Sequence, residues 1–471
     1  MKKQKLAFNT PAAPGGDIAL DSPDRLPDKL PAKIHNAYWF QGFNAVSWQI
    51  CLGSPMILFA RELGAPAVVL GLLAGLSPLT SMLQLFVAPH AERIGYRNLM
   101  VKGWTSRVMT LIFLALLPLA VGWLPNSYII ALLVLIMTVF TTLRGIATCS
   151  WLPWTTSLVP RSLRGFYLSR DRTFVNVASV AALAVSGFFL FDHSSMKAYS
   201  IVFGISFIGG AISLYFLNRV PDPPASVARE QKPRVQWLSL LHDNMFLRLL
   251  IFSMAVQTFV ASIATFVTVF VRDQVQLQDG TILWLTAGAA VLGTLAMRPL
   301  RHRVDRFGSR PFLGVVFLWW VVYFLAWFLL AAHLVDQPFI VAPALMLLAG
   351  FFGAIYDLSL TRLLMNTVGD RTHSTEYFAL HSVLISLMVG ISPILWGLLL
   401  DTLRKQQYTI GGMELDGFAV FFALQWLCLG FVLLAFTQVR EPSSSSTGTL
   451  LYRVFITAPT QRITHLTSRN H

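Results

Sequence analysis

The chain has 471 residues, 55% of them hydrophobic and only 12% charged, with a mean hydropathy of +0.62. So little polar surface cannot cover a water-soluble globule, and lipid must be the solvent of most of the chain. A net charge of +14 would suit a nucleic-acid binder only if the basic residues formed one continuous surface, and here they are scattered among short connections.

Residues 1–36 carry Lys2, Lys3 and Lys5 and several Pro and Asp residues, but no apolar stretch of signal-peptide length, which predicts a disordered cytoplasmic tail with nothing cleaved. Apolar windows then predict twelve membrane helices, at 37–60, 68–90, 101–122, 127–150, 173–191, 198–218, 245–271, 281–300, 312–334, 339–364, 377–400 and 417–438. An even number places both tails on one side. The polar segment 219–244, with Pro221, Pro223, Pro224 and Pro233, divides the spans into six-helix halves at 37–218 and 245–439. Within it, Trp237 to Leu241 reads as a short interfacial helix. Residues 440–471 open with Ser443 to Ser446 and read as a second flexible cytoplasmic tail.

Charge orients this array. The segments on the side of the tails hold most of the 36 lysines and arginines, whereas the opposite side holds only Arg61, Lys197, Arg272, Arg404 and Lys405. The positive-inside rule therefore predicts cytoplasmic tails in an inner, plasma membrane, and a basic inner face meeting anionic lipid explains the charge without a polyanionic partner. Cys51, Cys149 and Cys428 lie far apart in or beside apolar spans, so neither a disulfide framework nor a metal site is expected. Gly71 and Gly75 form a small-residue motif that suits either a dimer face or a crossing within the bundle; the crossing is the better fit in a chain expected to act as a monomer.

Glu92-Arg93-Ile94-Gly95-Tyr96-Arg97 and Asp305-Arg306-Phe307-Gly308-Ser309-Arg310 are one acidic-Arg-apolar-Gly-x-Arg string written twice, 213 positions apart. The same offset aligns Ala74-Gly75 with Ala287-Gly288, so the halves are duplicates. A basic turn between two helices in each half resembles the loop motif of the major facilitator superfamily, over residues 37–439. The family string begins with Gly and ends on two basic residues; here Ala88 and Arg301 hold the first place, and Tyr96 and Ser309 the first of the basic places. The resemblance implies an all-α membrane fold of two pseudo-symmetric six-helix bundles. It also implies a gating role for Glu92, Arg93, Gly95 and Arg97 and for Asp305, Arg306, Gly308 and Arg310, each acid facing a helix start of the opposite half. Without that resemblance the same residues read as plain topogenic charge.

Of the 22 acidic residues, Asp357 alone falls inside a predicted span. An ionisable group there costs roughly 2.5–3.5 kcal/mol and is a functional candidate by default. The 213 offset takes Arg144 to Asp357 and Thr148 to Thr361. In the implied fold, spans one, four, seven and ten line the central cavity, which sets these opposite charges on facing walls. Arg144 would anchor a carboxylate or phosphate oxygen through its planar fork, and Asp357 would take up and release a proton. The structural alternatives are a charge pair holding the halves together, or neutralisation of Asp357 by Arg362. Gln41, Asn44, Trp48, Gln257 and Tyr356, with Ser253 and Thr141, complete a mixed polar and aromatic lining, although any one of them could equally bond its own helix or a neighbour. His381 near the start of span eleven reads as a packing residue or a titrating group.

No Gly-rich phosphate loop followed by Lys-Ser or Lys-Thr occurs, so no nucleotide-driven pumping and no cofactor is expected. The reading is a facilitative or ion-coupled carrier of a small organic solute, anionic or zwitterionic, with protons as candidate coupling ions. A drug or metabolite exporter of the same fold is the first alternative, although span five lacks the Gly-Pro-Gly pattern of the family's proton-coupled exporters. A membrane enzyme ranks lower, because His302 with Asp305 and His373 with Glu376 lack a supporting constellation.

Overall fold

The computed structural model describes residues 30–441 apart from 32, 161–162, 192–194, 222–239, 369–373, 407, 411–412 and 440. The tails expected at 1–36 and 440–471, and the interfacial helix expected at Trp237 to Leu241, fall almost wholly outside the described residues. Twelve helices are long and apolar enough to cross a membrane. We number these spans α1 (His35–Glu62), α2 (Ala67–Val87), α3 (Tyr96–Ala120), α4 (Asn126–Leu158), α5 (Phe166–Phe189) and α6 (Met196–Leu217) in the first bundle. The second bundle holds α7 (Asn244–Asp273), α8 (Asp279–Met297), α9 (Arg310–Ala331), α10 (Pro338–Val368), α11 (Glu376–Leu403) and α12 (Gly417–Gln438). A small antiparallel hairpin, β1 (Tyr408–Ile410) and β2 (Met413–Leu415), joins α11 to α12. Below, the terminal face is the side carrying both chain ends and the far face is the other.

Several helices are interrupted, and the freed backbone groups find partners. The first span stops at Leu52 and resumes at Ser54 after Gly53, with Pro55 at the start of the new segment. The seventh breaks between Phe259 and Ile263. There the carbonyl of Thr258 accepts hydrogen bonds from Ser392 Oγ (2.5 Å) and Trp396 Nε1 (2.7 Å) of α11. An unsatisfied carbonyl in lipid costs several kcal/mol, so α11 makes this break tolerable. Asp243 caps α7 at the amides of Met245 and Phe246, and Asp416 caps α12 at Ala419.

Both copies of the repeated turn adopt one geometry. Gly95 and Gly308 each have φ of +88° and each closes a helix, the next beginning at Tyr96 directly after Gly95 and at Arg310 after Gly308 and Ser309. A side chain at either position would be strained, which is the physical reason for glycine there. Glu441, just past α12, accepts hydrogen bonds from the amides of Ser309 (2.8 Å) and Arg310 (2.9 Å) at the start of α9, and its other oxygen pairs with Arg362 at 3.3 Å. One carboxylate thereby fastens the ends of α9, α10 and α12 together.

The bundles meet through glycine. A Cβ on Gly71 would lie 2.0 Å from the carbonyl oxygen of Pro393, one on Gly75 2.1 Å from that of Gly390, and one on Gly397 2.4 Å from that of Ala67. The small-residue motif of α2 thus serves a crossing with α11 of the same chain. In the symmetry-related place, Gly187 of α5 packs on Gly280 of α8, whose amide donates to the Leu190 carbonyl. All these approaches lie in the far-face half of the helices. Past Ser81, α2 continues as Gln84–Ile94, which packs on α3 and α4 of its own bundle, so the cleft between bundles widens toward the terminal face.

Candidate functional site

Charged residues at the helix ends close the cleft on the far face. Arg61 of α1 grips Asp273 of α7 with two contacts, Nη2 to Oδ2 at 2.6 Å and Nε to Oδ1 at 3.0 Å, and Arg404 reaches the same carboxylate at 3.2 Å. Arg272 pairs with Glu62 across the bundle boundary and with Asp279 at 2.7 Å, while the Tyr199 hydroxyl donates to Asp279 at 2.5 Å. Both carboxylate oxygens of Asp401 on α11 accept from the first amides of α2, those of Ala67 and Val68, each at 2.8 Å. A helix start of one bundle is therefore capped by an acid from the other, the arrangement the helix dipole favours.

On the other side of this seal lie the two intramembrane charges related by the repeat. Arg144 is partly buried on α4, and its Nη1 donates to Ser77 Oγ of α2 at 2.6 Å. Asp357 is exposed on α10 and has no hydrogen-bonding or ion-pairing partner among the described residues. It shares a helix face with Gly353, where an added Cβ would meet nothing within 4 Å, so open space runs along this face. Arg362 is committed to Glu441 and to Ser309 Oγ (3.2 Å). The two alternatives raised by the sequence, a direct Arg144–Asp357 pair and neutralisation by Arg362, are thus not the contacts seen in this conformation.

Twelve spans, duplicated halves and a cleft sealed at one face are joined by a sequence match. The family model described as Major Facilitator Superfamily covers residues 38–304. The chain belongs to the major facilitator superfamily. No curated protein matches it in sequence. Among solved structures it is similar in fold to a D-xylose-proton symporter, at 13% identity and a TM-score of 0.67 over 88% of this chain and 98% of that one. The nucleoside transporter NupG gives 14% identity and a TM-score of 0.61 over 86% and 98%. A bacterial homologue of the human lysosomal transporter Spinster, inward-facing and unoccupied, gives 14% and 0.62 over 86% and 97%.

Within this major facilitator protein, the remaining candidates scatter. Asn44 is buried and Gln41, Trp48 and Gln257 are half-buried, on α1 and α7. Tyr356 turns away from Asp357, its ring 5.3 Å from that of Trp320 on α9 and its buried hydroxyl without a partner. Ser253 and Thr141 donate to carbonyls of their own helices. His381 is buried with Nε2 unpartnered. Arg97 of the first loop motif donates to the Asn218 carbonyl at 2.8 Å, holding α3 to the end of α6. The side chains of Glu92, Arg93, Asp305 and Arg306 lie outside those described. The three cysteines are free thiols, with Cys51 Sγ 2.9 Å from Ser206 Oγ.

Two charged residues enter the membrane interior beyond those the sequence reading singled out. Asp171 is not loop charge: α5 begins at Phe166, earlier than the expected 173, which brings Asp171 inside the helix. It is buried beside Gln41, Tyr38 and Tyr167, with Oδ1 unpartnered. Arg107 on α3 is 1% exposed. Its Nη1 donates to Asn44 Oδ1 at 2.9 Å, and its guanidinium lies 4.4 Å from the Trp104 ring centre and 4.5 Å from that of Phe140. The sequence signal was present, since an arginine in an apolar window is rare for the same energetic reason as an aspartate.

Proposed function

We propose that this protein carries a small organic solute, anionic or zwitterionic, across a membrane by alternating access of a cleft between its two bundles. The observation that carries the reading is the pair of opposite charges without ionic partners among the described residues on the cleft-side elements: Arg144 holding a serine hydroxyl, and Asp357 holding no side chain or backbone group. Charge inside a membrane survives selection when a ligand or a proton completes it. Arg144 would grip an oxyanion of the solute through its free N–H groups. Asp357 would accept a proton from the water-filled cleft and release it after the bundles rock, coupling solute movement to a pH gradient.

The distribution of Lys and Arg supports a plasma-membrane location with the terminal face cytoplasmic, so the conformation described is inward-open. The tails at 1–36 and 440–471 and the connection at 219–244 would then lie in the cytoplasm, and the chain would work as a monomer. The repeated turns would close the cytoplasmic side when the far face opens, with Glu92, Arg93, Gly95, Arg97 and their counterparts Asp305, Arg306, Gly308 and Arg310 changing partners. The symporter and nucleoside carrier of like fold support solute transport as the purpose of the architecture.

Uptake of labelled organic anions into proteoliposomes, with and without an imposed pH gradient, tests this. Arg144→Ala should abolish uptake under every condition, and Asp357→Asn should abolish only the gradient-driven accumulation. Normal transport by both variants under every gradient would remove the cavity charges from the mechanism.

A further inference from the structure

Arg107 presents a physical problem that the roles given to Arg144 and Asp357 leave unsolved. It is covered on all sides, yet no carboxylate is among its hydrogen-bonding partners. The flat faces of its guanidinium are occupied by Trp104 and Phe140. Such cation–π contacts offset only part of the cost of taking a guanidinium out of water. One edge is satisfied through Nη1 by Asn44. The other edge, Nε with Nη2, is buried and has no partner among the described residues.

That unpartnered edge has a specific shape. Nε–H and Nη2–H point in parallel, and together they form the fork that takes two oxygens of a carboxylate or phosphate side-on. Asn44 and the two rings fix the plane of the guanidinium, so the fork is oriented before anything binds it. The second cation, Arg144, is close enough for the two positive charges to repel. Arg144 follows Phe140 by one turn of α4, and it is partly exposed where Arg107 is covered. Two neighbouring guanidinium groups with no acid among their hydrogen-bonding partners leave a local charge of +2 for a ligand to neutralise.

We infer that Arg107, held by Asn44, and Arg144 form a two-arginine site for a doubly charged oxyanion head group, of the phosphate monoester type, on the solute this protein carries. The inference rests on the anionic-solute reading above and narrows it to dianions. Arg144 meets the anion from the cleft, and the fork of Arg107, covered in this conformation, takes two of its oxygens as the bundles rock, relieving the repulsion between the cations. A singly charged carboxylate would neutralise only half of the site.

The test is thermal stabilisation of the detergent-purified full chain by inorganic phosphate, glucose 6-phosphate, succinate, acetate and glucose, followed by counterflow of the same probes in proteoliposomes. Glucose 6-phosphate should stabilise the wild type and exchange, while glucose and acetate should not. Arg107→Lys keeps the charge and removes the fork, and it should weaken glucose 6-phosphate by about tenfold or more, as expected for the loss of a charge-assisted hydrogen bond of roughly 1.5–3 kcal/mol. Asn44→Ala, which leaves both arginines in place, should weaken it in the same direction and serves if the lysine variant does not fold. Stabilisation by succinate equal to that by glucose 6-phosphate would keep the dianion and overturn the phosphate assignment. Acetate binding that Arg144→Ala abolishes and Arg107→Lys leaves unchanged would overturn this inference while sparing the anionic-solute reading. Response to glucose alone would overturn both.

Discussion

Asp401→Asn isolates the contact that most directly ties the bundles together on the far face. Each oxygen of this carboxylate now takes one amide at the start of α2, from a helix of the other bundle. Asparagine keeps the size and one acceptor oxygen but loses the charge and the second acceptor. A hydrogen bond to a charged group contributes roughly 1.5–3 kcal/mol, and a charge at a helix start about 0.3–1 kcal/mol. Allowing for the acceptor that remains, the far-face-closed form should lose about 2 kcal/mol relative to the open one, a shift of about 30-fold in their ratio. Fold stability should change less, because each bundle keeps its own core. Spin labels at two far-face positions, Trp123 in the first bundle and Leu334 in the second, both exposed, would report the change as distance distributions in liposomes. The wild type should show one short population and Asp401→Asn an added long one. Identical distributions in the two proteins would refute the assignment of Asp401 as an inter-bundle cap.

Other substitutions probe neighbouring parts of the account. Gly71→Val places a Cβ where the Pro393 carbonyl oxygen stands 2.0 Å away, so far-face closure should be blocked and transport lost while each bundle stays helical by circular dichroism. Glu441→Gln removes the charge that holds Arg362 and caps α9, and thermal unfolding should show a loss of about 1–3 kcal/mol; an unchanged melting temperature would show this tie to be dispensable. Gly353→Leu fills open space beside Asp357, so stability should stay within about 0.5 kcal/mol of wild type while solute affinity falls. Solute affinity equal to wild type in that variant would place the solute elsewhere.

Hydropathy made the architecture legible because a membrane helix must be apolar along its whole length, and eleven turns between such runs can hardly be hidden. The starts of helices were less visible. Arg170, Asp171 and Arg172 stand just before the expected start of span five at 173, yet successive helical residues point about 100° apart. That rotation leaves the two arginines exposed and turns the acid inward to Gln41. Arg107 stands out within its apolar window, but its partner Asn44 lies 63 positions away, a distance only folding closes. The far-face seal was hidden for a related reason. Arg61, Glu62, Arg272 and Asp273 look like ordinary helix-end charges until the two bundles bring them together. The equivalence of Arg144 and Asp357 was readable from the repeat, but the partners of Arg144 and Arg362 were not, since Ser77 and Glu441 belong to segments that no periodicity links to them.

Alternating access itself is tested most directly by following both faces in one preparation. One label pair spans the far face, at Trp123 and Leu334, and a second spans the terminal face, at the exposed positions Asn98 and Asn366. As solute is added and pH is lowered, the far-face distance should lengthen in the same fraction of molecules in which the terminal-face distance shortens. Distances that stay fixed, or that lengthen together on both faces, would contradict a cleft that opens to one side at a time.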